Sequence, residues 1–225
     1  MNPSLPGAVL WDMDGTLVDT EPSWIAAEYA LVAEHGGTWS DEHAHALDGN
    51  PLLVSGEYIR RHGGVDLPVE VIVEQLVDRV VADVRRSVPW RPGARELLLA
   101  LRAEGVPCAL VTMSWARLVD AVLAELPGDT FAAVVAGDQV RHGKPHPEPY
   151  LTAAARLGVA PGECVAIEDS QTGVASAHAA GAAVVAVPNV VPIPPGPGRV
   201  VVDTLEGLSP AGLARLVGLP RRAAS

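Results

Sequence analysis

The chain has 225 residues, of which 48% are hydrophobic, and its formal net charge is −11 at pH 7. This length suits one large domain or a core with one smaller insertion, and the apolar content is enough for a real hydrophobic core. The acidic balance leaves no basic stripe to neutralise phosphates along a polymer, so no nucleic-acid partner is expected. An anionic substrate would instead need a local positive site, such as a metal ion or a single placed lysine.

The first part of the chain predicts one strand followed by a run of helices. A short apolar strand, Ala8–Trp11, leads directly into an acidic segment. Helical patterns then follow from about residue 21 to the glycines at 36–37, and over about 41–47, 51–62 and 68–86. No strand pattern occurs between about residues 20 and 88, so this stretch predicts an all-helical unit.

After residue 89, short apolar strands alternate with helices. The predicted strands are 106–112, 131–136, 164–168, 183–187 and 200–202, and the predicted helices are 93–104, 115–126, 147–157, 171–180 and 208–217. Such alternation is typical of a parallel sheet that is covered on both faces. The predicted fold class is therefore α/β, a Rossmann-like doubly wound parallel sheet.

The helical unit is predicted to be an insertion in the α/β core. We expect residues 1–17 and 90–225 to form the core and residues 18–89 to form an all-helical cap. In open parallel sheets, ligands bind beyond the carboxyl ends of the strands. Because the insertion leaves just after the first strand, it would hang over that edge and act as a lid.

The acidic segment after the first strand is the first candidate for chemistry. Asp12 and Asp14 are spaced i and i+2, which places two carboxylates on the same side of an extended chain. One carboxylate can then attack while the other handles a proton. Gly15 permits a sharp turn directly afterwards. A solvated acidic turn is the alternative, but it is disfavoured because the acids directly follow a buried apolar strand.

A second cluster, Thr112, Met113 and Ser114, stands at the end of another predicted strand. A hydroxyl group and free backbone N–H groups at such a position can hold an anion. A plain helix N-cap explains the same residues equally well. Lys144 lies between a glycine and a proline, on a stiff turn where it could neutralise a phosphate. A surface lysine in a loop is the alternative interpretation for that position.

The last cluster, Glu168 and Asp169, ends a predicted buried strand. Hard carboxylate oxygens at such a position suit Mg²⁺. The helix-capping role of an aspartate is the alternative here.

Taken together, the four clusters resemble the four motifs of the haloacid dehalogenase superfamily, in the same order and at suitable spacing. The segment from Asp12 to Asp19, Asp-Met-Asp-Gly-Thr-Leu-Val-Asp, is similar to the first motif. The helix that begins near Ser170 is similar to the Glu-Asp-Ser-x-x-Gly-x-x-Ala-x-x-Ala-Gly signature of the family. The resemblance covers nearly the whole chain, including a helical C1 cap where the β-phosphoglucomutase-like subgroup carries one.

The resemblance implies a role for each of these residues. Asp12 would attack phosphorus and become an aspartyl phosphate, and Asp14 would protonate the leaving oxygen and then activate water. The phosphoryl oxygens would be held by Thr112, Met113, Ser114 and Lys144. Mg²⁺ would be bound by Asp12, the backbone carbonyl of Asp14, and Asp169, with Glu168 close by. Charge neutralisation by Mg²⁺ and lysine is what attack of a carboxylate on a phosphate dianion requires.

Three functions are compatible with this resemblance: phosphatase, phosphosugar mutase and non-catalytic binding module. Asp14 favours phosphate-ester chemistry, because the dehalogenase and phosphonatase branches lack an acid there. β-Phosphoglucomutases carry a histidine where this chain has Trp24, and an arginine in the cap loop that here contains Gly49 and Asn50. We therefore expect a phosphatase of a small phosphorylated metabolite such as a sugar phosphate, with Trp24, Gly49 and Asn50 near the substrate.

The compartment is predicted from what the sequence lacks. The first residues carry no basic start and no adequate apolar stretch, so no signal peptide is expected. No apolar run approaches the roughly 20 residues of a membrane span, and no membrane partner is expected. Cys108 and Cys164 lie in apolar runs and are predicted to be buried free thiols. We expect a cytoplasmic protein that is a monomer or a weak dimer.

Overall fold

The structure is a computed structural model that describes residues 5–47 and 50–218. Within these residues, six strands form one sheet in the order β3-β2-β1-β4-β5-β6, and every neighbouring pair is parallel. The strands are β1 (Ala8–Trp11), β2 (Cys108–Val111), β3 (Ala133–Val135), β4 (Cys164–Glu168), β5 (Ala183–Ala186) and β6 (Arg199–Val201). The predicted parallel sheet is confirmed.

The helices fall into two groups along the chain. Between β1 and β2 come α1 (Glu21–Glu34), α2 (Asp41–His45), α3 (Leu52–His62), α4 (Val69–Arg86) and α5 (Ala94–Ala103). The later helices are α6 (Ala116–Leu123), α7 (Glu148–Leu157), α8 (Gln171–Ala179) and α9 (Pro210–Leu216). Each predicted helix is present within a few residues of its expected bounds, and short 3₁₀ turns at Gly137–Gln139 and Pro161–Glu163 had not been predicted.

Alternate side chains of β1 face opposite sides of the sheet, and each side packs against its own helices. Val9 and Trp11 belong to one hydrophobic cluster, which includes apolar residues of α5, α6 and α9. Ala8 and Leu10 belong to a second cluster, which includes residues of α7 and α8. Burial of both faces is why the strands read as continuous apolar runs, and it confirms the doubly wound architecture.

The predicted strand over residues 106–112 is shorter in the structure, where β2 covers Cys108–Val111. Pro107 precedes it, and a proline has no N–H group to donate to a neighbouring strand. Its carbonyl still accepts a hydrogen bond from the N–H of Val9 at 3.0 Å. Cys108 and Cys164 are buried and free, as predicted.

The insertion joins the sheet through two chain segments that run side by side. The N–H of Asp19 donates to the carbonyl of Pro89 at 2.7 Å, and the N–H of Arg91 donates to the carbonyl of Leu17 at 3.0 Å. This pairing brings the exit and the return of the insertion together directly after β1. The proposed division into a core, residues 1–17 and 90–225, and a cap, residues 18–89, agrees with these bonds and stays a prediction.

Helix α4 is the longest helix of the insertion and joins it to the core. Seven of its residues are buried, at spacings of three and four that place them on one stripe: Ile72, Val73, Leu76, Val77, Val80, Val81 and Val84. It packs against α1 and α3 of the insertion and against α6 of the core. None of the helices in the described part of the chain is long and apolar enough to cross a membrane.

Candidate active site

The predicted site residues meet at the carboxyl ends of the strands. Asp12 follows β1, Thr112 follows β2, and Glu168 ends β4 with Asp169 directly after it. Because all the strands are parallel and these three are neighbours, their carboxyl ends lie at one edge of the sheet. Helices α1, α3 and α4 of the insertion supply the opposite wall of the same cleft.

Lys144 sits at the centre of a buried charge cluster. Its Nζ lies 2.6 Å from Asp12 Oδ1 and 2.6 Å from Glu168 Oε1, and it donates to the carbonyl of Val111 at 3.0 Å. The three charged residues are 5%, 6% and 0% exposed in the order Lys144, Asp12, Glu168. The hydroxyl of Tyr150 donates a hydrogen bond to Glu168 Oε1. One cation therefore serves two buried carboxylates, which fixes the orientation of both.

Burial and neighbouring charge set the pKa values of this cluster. Burial raises the pKa of Asp12 first of all, and the charge of Glu168 raises it further, against the opposing effect of Lys144. Burial alone would lower the pKa of Lys144, but Asp12 and Glu168 outweigh it and raise that pKa above its ordinary value. Lys144 therefore stays charged. The raised pKa makes Asp12 a more basic carboxylate, which attacks better once further positive charge nearby keeps it ionised.

Asp14 connects the sheet edge with the insertion. Its Oδ2 accepts hydrogen bonds from the hydroxyls of Thr112 at 3.0 Å and Ser114 at 2.8 Å. Its Oδ1 accepts from the Thr20 hydroxyl at 2.6 Å and from Trp24 Nε1 at 3.5 Å. Thr112 and Ser114, which were predicted to hold a phosphoryl group, thus form an anion-binding pair that here holds the carboxylate of Asp14.

The chemistry of the acidic cluster fits Mg²⁺. Asp12, Glu168 and Asp169 can each offer a carboxylate oxygen, and these oxygens lie within 4.8 Å of one another. Asp12 Oδ2 is buried and has no hydrogen-bond partner among the described residues. A buried carboxylate oxygen without a partner is costly, and a hard cation with oxygen ligands would satisfy it. That the backbone carbonyl of Asp14 also binds the metal stays a prediction.

Two glycines allow the acids to lie so close to the backbone. Gly15 has φ +81°, and a Cβ atom there would collide with the carboxylate of Asp169. A Cβ atom on Gly173, in the first turn of α8, would collide with the carboxylate of Glu168. Both positions therefore need glycine, the first for its conformation and for space, the second for space alone.

The structure brings together nearly all the residues that the sequence predicted for the site. Trp24, Asn50 and Met113 line the cleft, and Met113 Sδ accepts a hydrogen bond from the N–H of Lys144. Asn50 donates its side-chain amide to the carbonyl of Ala46 at 2.9 Å. Gly49 lies outside the described residues. Glu168 Oε1 accepts hydrogen bonds from both Lys144 and Tyr150, so Glu168 belongs to the buried charge cluster.

Four residues of the site were missed by sequence reasoning. Thr20 contacts Asp14, Tyr150 contacts Glu168, and Glu28 and Ser55 line the cleft from the insertion. Thr20 and Tyr150 act through side-chain contacts with residues 6 and 18 positions away, which no strand or helix period predicts. Glu28 did carry a signal, because it follows Trp24 by four residues and so lies on the same face of α1.

Comparison with known proteins places this fold and site in a family. The family model of the haloacid dehalogenase-like hydrolases matches residues 6–181, which is most of the chain. The chain is 32% identical over 184 residues to hexitol phosphatase B of Escherichia coli (strain K12), covering 80% of this chain and 83% of that protein. This chain belongs to the haloacid dehalogenase-like hydrolase family, as the sequence resemblance implied.

Further similarities point to the same group of proteins. Protein CbbY of Rhodobacter capsulatus is 34% identical over 197 residues, with 81% of this chain and 85% of that protein covered. The crystal structure of CbbY from Rhodobacter sphaeroides in complex with phosphate superposes with a TM-score of 0.82 at 28% identity, over 93% of this chain and 99% of that one. The α/β core with an inserted helical cap is thus a fold that this chain shares with the solved structure of CbbY.

Proposed function

We propose that this chain is a Mg²⁺-dependent phosphatase that hydrolyses a small phosphomonoester through an aspartyl phosphate on Asp12. The observation that carries the proposal is the setting of Asp12. One of its oxygens is held by Lys144, and the other is buried without a partner among the described residues, at the edge of a cleft. The unpartnered oxygen would bind the metal ion, and the oxygen beside Lys144 would then be oriented to attack a phosphorus atom in the cleft.

In this proposal the Thr112 and Ser114 hydroxyls donate to phosphoryl oxygens instead of to Asp14. Their present contact with a carboxylate supports this, because both groups are oxyanions of similar hydrogen-bonding character. Lys144 neutralises charge on the attacking carboxylate and on the phosphoryl group. Asp12, Asp169 and the carbonyl of Asp14 would hold Mg²⁺, with Glu168 nearby, and the bound ion would supply charge neutralisation at the phosphoryl oxygens.

Asp14 handles the protons in two steps. In the first, Asp12 forms a bond to phosphorus as the ester bond breaks, and the leaving oxygen takes a proton from Asp14. In the second, Asp14 accepts a proton from water as that water attacks phosphorus, which releases inorganic phosphate and restores the carboxylate of Asp12. The hydrogen bonds from Thr20 and Trp24 hold Asp14 where it faces both the cleft and the insertion.

The names of the relatives support a sugar-phosphate or similar metabolite as substrate, since they include a hexitol phosphatase, a fructose-1-phosphate phosphatase and a phosphoglycolate phosphatase. A phosphosugar mutase is the alternative. It is less well supported because Trp24, an indole without basic character, occupies the position at which β-phosphoglucomutases carry a histidine. A cytoplasmic location and a monomeric or weakly dimeric state remain predictions from the sequence.

The test is turnover of a panel of phosphomonoesters with separate assays for phosphate and for isomerised product. We expect phosphate release that is abolished by EDTA and restored by Mg²⁺, without isomerisation of hexose phosphates. Isomerised product without phosphate release would establish the mutase, and full activity in excess EDTA would refute the metal requirement. Absence of any turnover with a folded protein would favour the binding module.

A further inference from the structure

A buried acid in the insertion faces the cleft without taking part in the chemistry above. Glu28 lies on α1, four residues after Trp24, which touches Asp14. Four residues are about one helical turn, so Glu28 lies roughly 5 to 6 Å further from the reacting atoms along the helix. It is only 5% exposed and lines the cleft. A leaving group of several carbons would extend in this direction.

The two oxygens of the Glu28 carboxyl differ in their hydrogen bonding. Trp39 Nε1 donates to Oε2 at 3.1 Å. Among the described residues, the structure shows no hydrogen bond to Oε1. Oε1 is not among the fully buried polar atoms that lack a partner in the described chain, so it is not sealed inside the protein. Because Glu28 lines the cleft, we take Oε1 as the oxygen that a ligand in the cleft would meet.

The insertion also lines the cleft with apolar side chains. Leu47, Leu52 and Leu76 line it, together with Ser55, which is 6% exposed. A carboxyl and a hydroxyl that line the same cleft beside apolar side chains are polar groups of the kind that fix the orientation of a ligand. Removing a hydrogen-bonding group of the ligand at such a subsite leaves buried polar atoms unpaired, which makes the subsite selective.

The charge of the cleft decides which ligand the subsite suits. Among the described residues that line the cleft, Lys144 is the only one with a basic side chain, and it is bound to Asp12 and Glu168. A second anionic group on the substrate would meet no other basic side chain among these lining residues. Burial raises the pKa of Glu28 to about 8, so its carboxyl is mostly protonated near neutral pH and can both donate and accept. Such a group matches an alcohol.

We infer that Glu28 is a specificity-determining residue that hydrogen-bonds a hydroxyl of a neutral, polyhydroxylated leaving group, assisted by Ser55. The enzyme would then select polyol or sugar monophosphates over esters that carry a second anionic group. This inference rests on the proposed phosphatase function and adds to it the chemical class of the leaving group.

The test compares three substrates in the Mg²⁺-supplemented full-length enzyme: a hexitol 6-phosphate, phosphoglycolate and p-nitrophenyl phosphate. The wild type should prefer the hexitol phosphate to phosphoglycolate. Glu28→Leu should lower kcat/KM for the hexitol phosphate by about 10- to 100-fold, because a hydrogen-bonding subsite is lost. The same variant should change turnover of p-nitrophenyl phosphate, which has no aliphatic hydroxyl, by less than about threefold.

Three further variants separate recognition from structure. Glu28→Gln keeps a donor and an acceptor and should retain hexitol-phosphate kcat/KM within about threefold of the wild type. Ser55→Ala should lower the same value by about three- to tenfold, and it serves if Glu28→Leu fails to fold. Trp39→Phe removes the hydrogen bond to Oε2 but leaves Oε1, so it should spare the ranking of substrates.

Several results would overturn the inference. One is an equal loss for all three substrates in Glu28→Leu, and another is a Trp39→Phe variant that reproduces the altered ranking. A wild type that prefers phosphoglycolate would contradict the predicted leaving group while leaving the phosphatase function intact. No turnover of any of the three substrates would instead count against the proposed function itself, and the inference would fail with it.

Discussion

Lys144 is the single lysine of the sequence, which also contains 15 arginines. Its compact ammonium group reaches two carboxylates and a carbonyl in a space where it is only 5% exposed. A guanidinium group is larger and planar, and it would not fit the same three acceptors without moving them. The site thus depends on one lysine whose role no nearby residue can take over.

Replacing Lys144 with Met should affect both activity and stability. The variant leaves Asp12 and Glu168 without their cation, and breaking a buried ion pair by removing one partner costs about 3–5 kcal/mol. We expect a loss of that order in the free energy of unfolding, measured by urea denaturation, and a drop in kcat of at least about 10²-fold.

Arg102→Met is the matched control, because Arg102 pairs with Asp129 on the surface, where it is 40% exposed. An exposed pair contributes at most about 1 kcal/mol, so this variant should stay close to the wild type in stability and in kcat. Equal stability losses in the two variants would show that the buried cluster does not depend on its lysine.

Glu28 should make stability depend on pH. Burial, more than the nearby Glu21, raises its pKa from 4.5 to about 8, so the folded state binds a proton that the unfolded state releases. The resulting stability is present below about pH 4.5 and is lost as the pH rises to about 8. Relative to the wild type, Glu28→Gln should gain stability over this interval, by up to about 1.4 kcal/mol per pH unit, and level off above it.

Urea denaturation of the two proteins from about pH 5 to pH 9 checks this prediction, because the interval spans the titration of a carboxyl in that range. The difference between the two free energies of unfolding is the relevant quantity, since it cancels the titration of groups that both proteins share. A difference that stays constant across the interval would show that Glu28 is ionised in the folded protein.

Sequence reasoning found the residues at strand ends and on a stiff turn, and it missed residues that act by holding another side chain of the site. Asp12, Lys144 and Asp169 were predictable because buried apolar strands or stiff turns place them at one edge of the sheet. Tyr150 and Thr20 were not, because their partners lie 18 and 6 residues away along the chain and are brought together only by packing.

At the scale of elements, the join between β4 and α8 shows how a strand and a helix together fix an acid. Glu168 ends the strand, and Ser170 caps the helix by accepting a hydrogen bond from the N–H of Gly173 at 3.0 Å. The hydroxyl of Ser170 also donates to Glu168 Oε2 at 3.2 Å. The Ser170 hydroxyl therefore both caps the helix and orients the acid. This requires the first turn of α8 to pass directly over the carboxylate.

Gly173→Ala should therefore lower activity, although alanine favours a helix more than glycine does. The new methyl group would collide with the Glu168 carboxylate and push it away from Lys144. Overpacking of this kind costs about 1–3 kcal/mol, against about 1 kcal/mol gained from helix propensity. We expect a lower Tm and a kcat reduced by at least about tenfold, since displacement by about 1 Å is costly at a reacting centre.

Gly162→Ala is the control for this substitution, because a methyl group there meets no atom within 4 Å and the position lies outside the site. Its kcat should equal that of the wild type. Wild-type kcat in Gly173→Ala, with a raised Tm, would show that the space above Glu168 is larger than the structure indicates.

The elements themselves were largely predictable, and the connections between them less so. Alternating apolar runs and helical periodicity predicted the strands and helices within a few residues, because burial on both faces leaves a strong pattern. The short 3₁₀ turns at Gly137–Gln139 and Pro161–Glu163 were missed, since a single turn is too short to show a period.

At the scale of the whole molecule, the cleft has walls from two parts of the chain that are far apart in sequence. The reacting groups come from the strand ends, and the wall that would contact a leaving group comes from the insertion. Helix α4 packs against α6, and Arg117 on α6 pairs with Asp78 on α4 at 2.9 Å. The order of elements predicted an insertion over the sheet edge, but its contacts with α6 depend on three-dimensional packing that no local pattern contains.

An aspartyl phosphate on Asp12 can be detected directly during a single turnover. Enzyme in excess over a hydrolysed phosphomonoester is mixed with it, quenched with acid within milliseconds to seconds, and analysed by peptide mass spectrometry. We expect a transient gain of one phosphoryl group on Asp12 in the wild type. In Asp12→Asn we expect neither this gain nor phosphate release on that timescale, because the kcat of the variant should be at least about 10³-fold lower. Phosphate release by Asp12→Asn within about tenfold of the wild type would contradict the account.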